Sequence, residues 1–216
     1  MFFHLEVSKK LYNFVLNLTN IMIPIIEKEK VSKRNAILAT TLKLISTHGF
    51  HAAPMSVIAK EANVAAGTIY IYFQNKEDLI IQLYYHVKEF LAKSIVISDE
   101  KMPYKQKVFS LWSNLYQFFC EHLEVYKFLE QYEDSPFITD AMTQDVELLF
   151  THLQDFLQEG IDNGFLRFID KRIIMMLLMQ SVSTLMKLKL LPYPEFQEDE
   201  TPQLIFQSFW DGVKVN

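Results

Sequence analysis

Ile69 and Phe73 stand four residues apart in the run AAGTIYIYF, and turning them inward on a helix leaves Ala65, Ala66, Thr68, Tyr70 and Tyr72 facing out. Two tyrosines and a threonine among alanines make a surface for hydrogen bonds and van der Waals contact, not for bond-making chemistry. Such a face suits DNA, where most contacts hold the phosphate backbone and a few side chains read base edges. Groups with catalytic capability are scattered. His48 and His51 flank a glycine at a helix end, and His122, Glu133, Asp134 and His152 lack the spacing of a zinc site. There is no Gly-rich phosphate loop. The sequence therefore gives catalysis, metal and cofactor no support, and those His, Asp and Glu residues are expected on the solvated surface.

A helix-turn-helix would position that outward face. Met55, Ile58, Ala59 and Ala62 recur at i, i+3, i+4 and i+7, one apolar face of a two-turn helix. Pro54 can occupy its first position, where a missing N–H is harmless. Asn63 tolerates the left-handed conformation of a sharp turn, and Val64 plugs the corner. A first helix, Ser32 to His48, covers the pair with Ile37, Thr41 and Leu44 and with Leu38, Leu42 and Ile45, and Gly49 stops it. Asn75 is a plausible N-cap for a long fourth helix, reaching about Ile97, with Leu79, Ile80, Leu83, Tyr84, Val87 and Leu91 as its core stripe.

The run IAKEANVAAGTIYIYFQNKEDL resembles the DNA-binding signature of TetR-type (tetracycline-repressor-like) bacterial regulators. Matching positions are Ile58, Ala59, Ala62, Val64, Gly67, Thr68, Tyr70, Tyr72, Phe73, Lys76, Glu77 and Leu79. The chain departs from the signature at Asn63 for the turn glycine, Ala65 for a serine cap and Ile71 where histidine is frequent. Losing the cap typically costs ~1 kcal/mol. The resemblance implies that Thr68, Tyr72 and Lys76 contact phosphate, and that Ala66, Gly67 and Tyr70 approach bases. Ala66 and Gly67 can offer only backbone or van der Waals contact, so base readout leans on Tyr70, Ser56 and DNA shape.

Charge is divided along the chain. Residues 27–90 carry 8 Lys/Arg against 6 Asp/Glu, whereas residues 91–216 carry 11 against 19. Phosphates respond to the local field, so a net charge of −5 does not exclude DNA. The single cysteine, Cys120, cannot form an intramolecular disulfide and suits a cytoplasmic location. Its Phe-rich surroundings predict a buried thiol. Residues 1–26 resemble a signal peptide only superficially, because Asn13, Asn17, Thr19 and Asn20 interrupt the apolar run and no small-residue cleavage site follows. An extra docked helix, a frayed extension and a start at Met22 all remain open, with an extension outside the core function expected. The domain reading is 1–26 extension, 27–78 DNA-binding head and 79–216 effector-binding and dimerisation domain.

Five further helices follow from their punctuation, for an all-α chain of nine, or ten with an N-terminal one. They span Pro103 to His122, Leu123 to Gln131, a long one from Ser135 to Asn163, one capped by Asp170, and one opened by Thr201-Pro202. This is the layout the TetR resemblance implies. The aromatic-rich stretch from Phe109 to Phe156 suggests a pocket for a small apolar or aromatic effector, lined by Trp112, Tyr116, Phe119, Tyr126, Tyr132 and Phe150. IIMMLLMQSVSTLMKLKLL is apolar around much of its circumference and nearly long enough to span a membrane, but Gln180, Ser181, Ser183, Thr184, Lys187 and Lys189 interrupt it. A homodimer interface is the better reading. Its candidates are Met175, Met179, Val182 and Met186, with Phe206, Phe209 and Trp210 from the last helix. The sequence thus points to a cytoplasmic, homodimeric, ligand-responsive repressor on a palindromic operator, with no membrane partner. Its rivals are a helical enzyme or lipid-binding protein whose helix-turn-helix only packs, and a membrane-anchored regulator.

Overall fold

The computed structural model describes residues 33–50, 53–97, 101–132, 139–194 and 200–215. Among them are ten α-helices and no strand: α1 Lys33–His48, α2 Met55–Glu61, α3 Ala66–Tyr72, α4 Lys76–Ser94, α5 Tyr104–Glu121, α6 Leu123–Tyr132, α7 Asp140–Leu149, α8 Thr151–Asp162, α9 Lys171–Leu190 and α10 Thr201–Val213. The chain divides into two compact units between Leu79 and Ile80. Residues 1–26, with their three competing readings, lie outside the described residues.

The first unit is built on α1, α2 and α3, each packed against the other two. Ile37, Leu38 and Ile45 of α1 meet Ile58 and Ala59 of α2 and Ile69 and Phe73 of the α3 segment in one core. Thr41 lies fully inside it, its hydroxyl satisfied by donation to the Ile37 carbonyl at 2.7 Å. Gly49 ends α1 at φ 75, and Asn63 makes the sharp turn at φ 54, as its side chain permits. Pro54 sits one place earlier than expected, as the N-cap of α2. Asn75 caps α4, its side chain accepting from the Asp78 N–H at 2.8 Å, while Asp78 accepts from the Gln74 N–H at 2.7 Å.

In the second unit α9 packs against α5, α8 and α10. One expectation needs correction: Ser135 to Asn163 is not one helix. Its first residues lie outside those described, and the remainder breaks at Phe150, whose φ −103 and ψ 17 leave the helical region. No proline or glycine marks the break. Backbone N–H groups still reach these carbonyls, Phe150 N–H donating to Glu147 O at 3.1 Å, and side chains add to them, Gln154 Nε2 donating to Glu147 O at 3.1 Å and Thr151 Oγ1 to Leu148 O at 2.8 Å. Further along, Gly164 ends α8 at φ 72, and Asp170 caps α9 by accepting from the Arg172 N–H. The C-terminus is tied down by antiparallel bonding, Arg167 N–H to Val213 O at 2.8 Å and Val215 N–H to Phe165 O at 3.2 Å.

Tyr104 explains a glycine inside α8. Its ring stacks on Phe156 and on Phe165, each at 5.0 Å between centroids, and its hydroxyl donates to the Phe156 carbonyl at 3.1 Å. A Cβ on Gly160 would stand 2.1 Å from that hydroxyl oxygen and 2.9 Å from a Leu166 methyl. The stacked ring has little room to withdraw. Gly160→Ala is therefore expected to lose about 1–3 kcal/mol of stability despite alanine's better helix propensity, read as a lower urea midpoint. An unchanged midpoint would show that Tyr104 can swing clear.

Candidate nucleic-acid interface and effector core

Burial sorts the α3 segment into two faces. Ile69 and Phe73 are each 1% exposed, whereas Ala65, Ala66, Gly67, Tyr70 and Ile71 are exposed and Thr68 and Tyr72 half-buried. Ala65 occupies the N-cap with no side-chain hydrogen bond, and while the Thr68 N–H donates to the Ala65 carbonyl at 2.8 Å, no side chain caps the N–H groups of Ala66 and Gly67. Ser56, on α2, is also exposed. Lys76 has a further role that sequence spacing did not reveal: its Nζ donates to the Phe50 carbonyl, just past the end of α1. Burial lowers its pKa from the ordinary lysine value. An ammonium has three protons, so this bond orients Lys76 without exhausting it. The Arg34 guanidinium lies 5.6 Å from the Phe73 ring centroid, adding a cation against the same segment.

The aromatic residues of the second unit do not form one group. Trp112 is buried, donates from Nε1 to Ser181 Oγ at 2.8 Å, stacks near Tyr116 at 6.2 Å and meets Phe206 edge-to-face at 5.7 Å. Phe119 pairs with Tyr126 at 5.6 Å. Tyr132 belongs to a third cluster, 5.0 Å from Tyr84 and 5.3 Å from Phe128. Phe150 is buried at the break between α7 and α8. Burial pushes the Tyr116 and Tyr126 hydroxyls up in pKa, keeping both neutral. A polar chain that the sequence did not reveal links α6 to α9. Ser183 Oγ donates to Glu130 at 2.6 Å, Tyr126 OH lies 3.4 Å from Ser183 Oγ, and Lys187 pairs with Glu130 at 2.6 Å. Its only sequence signal is the polar breaks in an apolar helix, Ser183 and Lys187.

Two other expectations meet the structure differently, those for Cys120 and His122. Cys120 is exposed as a residue, although its Sγ lies 3.8 Å from the Met186 Sδ of α9. That partial burial of the sulfur raises the thiol pKa above the usual value. His122 is not simply solvated, since its ring packs 4.7 Å from Phe118 and 5.0 Å from Phe90. His152 is exposed, and Glu133 and Asp134 lie outside the described residues.

Most of the expected dimer residues have contacts within one protomer. Val182, Met186, Phe206, Phe209 and Trp210 are buried within the protomer itself, because α9, α10 and α5 pack together and consume those side chains. Met175 and Met179 are half-buried. The exposed apolar side chains of these two helices are others: Ile173, Met176, Leu177 and Leu190 on α9 and Leu204 on α10, with Gln180, Thr184 and Ser208 also exposed.

Comparison with known proteins accounts for both units. Residues 37–83 match the family model of bacterial regulatory proteins, tetR family, and residues 103–214 match the tetracyclin repressor-like C-terminal domain. An uncharacterized HTH-type transcriptional regulator of Haemophilus influenzae is 36% identical over 112 residues, 51% of this chain and 60% of its own. The fatty acid metabolism regulator protein of Bacillus subtilis is 29% identical over 140 residues, 63% of this chain and 72% of its own. The match thus spans under two thirds of the first relative's length. A TetR family transcription regulator of Marinobacter aquaeolei shares the fold with a TM-score of 0.77 at 23% identity, covering 88% of this chain and all of that one. The Bacillus subtilis regulator FadR, solved in complex with stearoyl-CoA, shares it with a TM-score of 0.61 at 23% identity over 82% of this chain and 98% of its own. With family models matching the head and more than half of the chain beyond it, this protein belongs to the TetR family of bacterial transcriptional regulators and is not an enzyme.

Proposed function

We propose that the chain is a homodimeric repressor that binds a palindromic operator and releases it when a small, mostly apolar effector enters the second unit. The observation that carries the DNA half is the division of α3, with Ile69 and Phe73 in the core and Tyr70, Thr68 and Tyr72 left toward solvent. Two-fold symmetry of a dimer would require two half-sites one helical turn apart. The working domains are the head, 27–78, and the effector and dimerisation region, 79–216, acting in the cytoplasm.

An effector with a long apolar chain fits a unit rich in aromatic and methionine side chains, and the fatty-acid regulator among the relatives favours a fatty acyl group. Such a ligand causes release only if it binds the DNA-free conformation more tightly than the bound one.

The docking is tested at Thr68, Tyr72 and Lys76. Tyr72→Phe and Lys76→Ala should weaken binding to all duplexes about equally. Each removes one group from a phosphate, which should lower the slope of log affinity against log salt by roughly one unit. Lys76→Ala should also lower the melting temperature slightly, because the hydrogen bond from Nζ to the Phe50 carbonyl is lost. Tyr70→Ala should instead change the preferred sequence. Normal operator affinity in the double variant Tyr72→Phe/Lys76→Ala would refute this docking.

A further inference from the structure

The seven residues of α3, AGTIYIY, include no Arg, Lys, Asn, Gln, Asp or Glu. Those side chains make the paired hydrogen bonds that identify guanine, adenine and cytosine in the major groove. The exposed surface of α3 instead comprises Ala66, Gly67, Tyr70 and Ile71. Ile71 is 77% exposed and Tyr70 57%, and Ile71 is the most exposed large apolar side chain described in the first unit. Just past the helix, Asn75 Oδ1 accepts from the Asp78 N–H and the Phe50 carbonyl orients Lys76 Nζ, which is assigned to phosphate above, while Gln74 is an exposed amide.

An apolar side chain can recognise one feature of the major groove, the C5-methyl group of thymine. Isoleucine suits the task because its branched Cβ restricts the side chain, so its methyl groups are already fixed in direction before they meet the base. We infer that Ile71 is a specificity-determining residue that selects thymine in each half-site by packing on its C5-methyl, with Ala66 extending the same apolar surface. The inference rests on the DNA-binding reading above. It adds that recognition at this position is by shape and methyl burial, not by hydrogen bonds.

Replacing thymine by deoxyuridine removes that methyl while keeping the pairing and the O4 acceptor. The preferred duplex is first selected from random sequence, and each symmetric pair of thymines is then replaced by deoxyuridine in turn. Wild-type protein should lose about four-fold per buried methyl, hence about fifteen-fold for one symmetric pair. Ile71→Ala should bind the thymine duplex more weakly by a similar factor and become indifferent to deoxyuridine at that pair. Equal wild-type affinity for every deoxyuridine duplex would overturn the inference, as would full deoxyuridine sensitivity in Ile71→Ala. Both results leave the DNA-binding reading intact so long as salt-dependent duplex binding persists; absence of binding to any duplex would overturn the two together. The wild-type scan needs no variant, so a folding defect in Ile71→Ala would not remove the test.

Discussion

Met176→Glu combined with Leu204→Glu should convert the protein to monomers and cost about 10²–10⁴-fold in operator affinity. The two side chains are 64% and 65% exposed in the protomer, so the charges are tolerated there. In a dimer closed by α9 and α10 they would be taken from water without partners, a penalty of several kcal/mol on each side of a two-fold interface. The affinity loss follows because a second head tethered to the first binds at high effective concentration, and a monomer forfeits that advantage. Sedimentation decides the first part: a species near 25.4 kDa is expected. Far-ultraviolet circular dichroism should be unchanged. Phe206→Glu is the informative contrast, because Phe206 lies against Trp112, Phe109 and Phe209 inside the protomer. It should unfold the second unit and not merely separate two of them. A dimer surviving the first double substitution would place the interface on another face.

That contrast marks what the sequence could and could not reveal. The helix-turn-helix was legible because each of its features is local. The spacing of Ile58, Ala59, Ile69 and Phe73 decides which side is buried, and Asn63 and Gly49 announce backbone at positive φ. The apolar excess of α9 was legible as well, but its division was not. Periodicity shows that a helix has more than one apolar side, not which side its own chain covers and which is left for a partner. That depends on where α5 and α10 lie, and their packing took Val182, Met186 and Phe206 inward while leaving Met176 and Leu204 outside.

The break at Phe150 was hidden for a similar reason. Nothing in DVELLFTHLQDF interrupts helical propensity, and the turn combines a tighter backbone bond, Phe150 N–H to Glu147 O, with side-chain bonds from Gln154 and Thr151. Lys76 shows the limit of motif reading in another way. Its motif position implied a phosphate contact, while only three-dimensional proximity reveals that it also closes the end of α1 through Phe50.

Long-chain fatty acyl compounds should release operator DNA, weakening its binding by 10²-fold or more, about 2.7 kcal/mol. Trp112 should report their arrival. This buried ring of α5 has its Nε1–H on Ser181 of α9, so a chain bound beside it is expected to disturb the ring or its hydrogen bond. The chain's other tryptophan, Trp210, stacks on Phe206 at 6.5 Å, and Trp210→Phe isolates the Trp112 signal. If the binding free energy is mainly apolar burial, affinity should rise about four-fold per methylene along an acyl series until the available space is filled, and then stop rising. Linkage adds a stricter requirement. The factor by which effector weakens operator binding must equal the factor by which operator weakens effector binding, because both measure one coupling free energy. Effector titrations followed at Trp112 with and without operator therefore have to return that same factor. Fluorescence changes that leave operator affinity untouched would identify a bystander ligand. Release by small, highly charged metabolites or metal ions alone would refute the apolar effector.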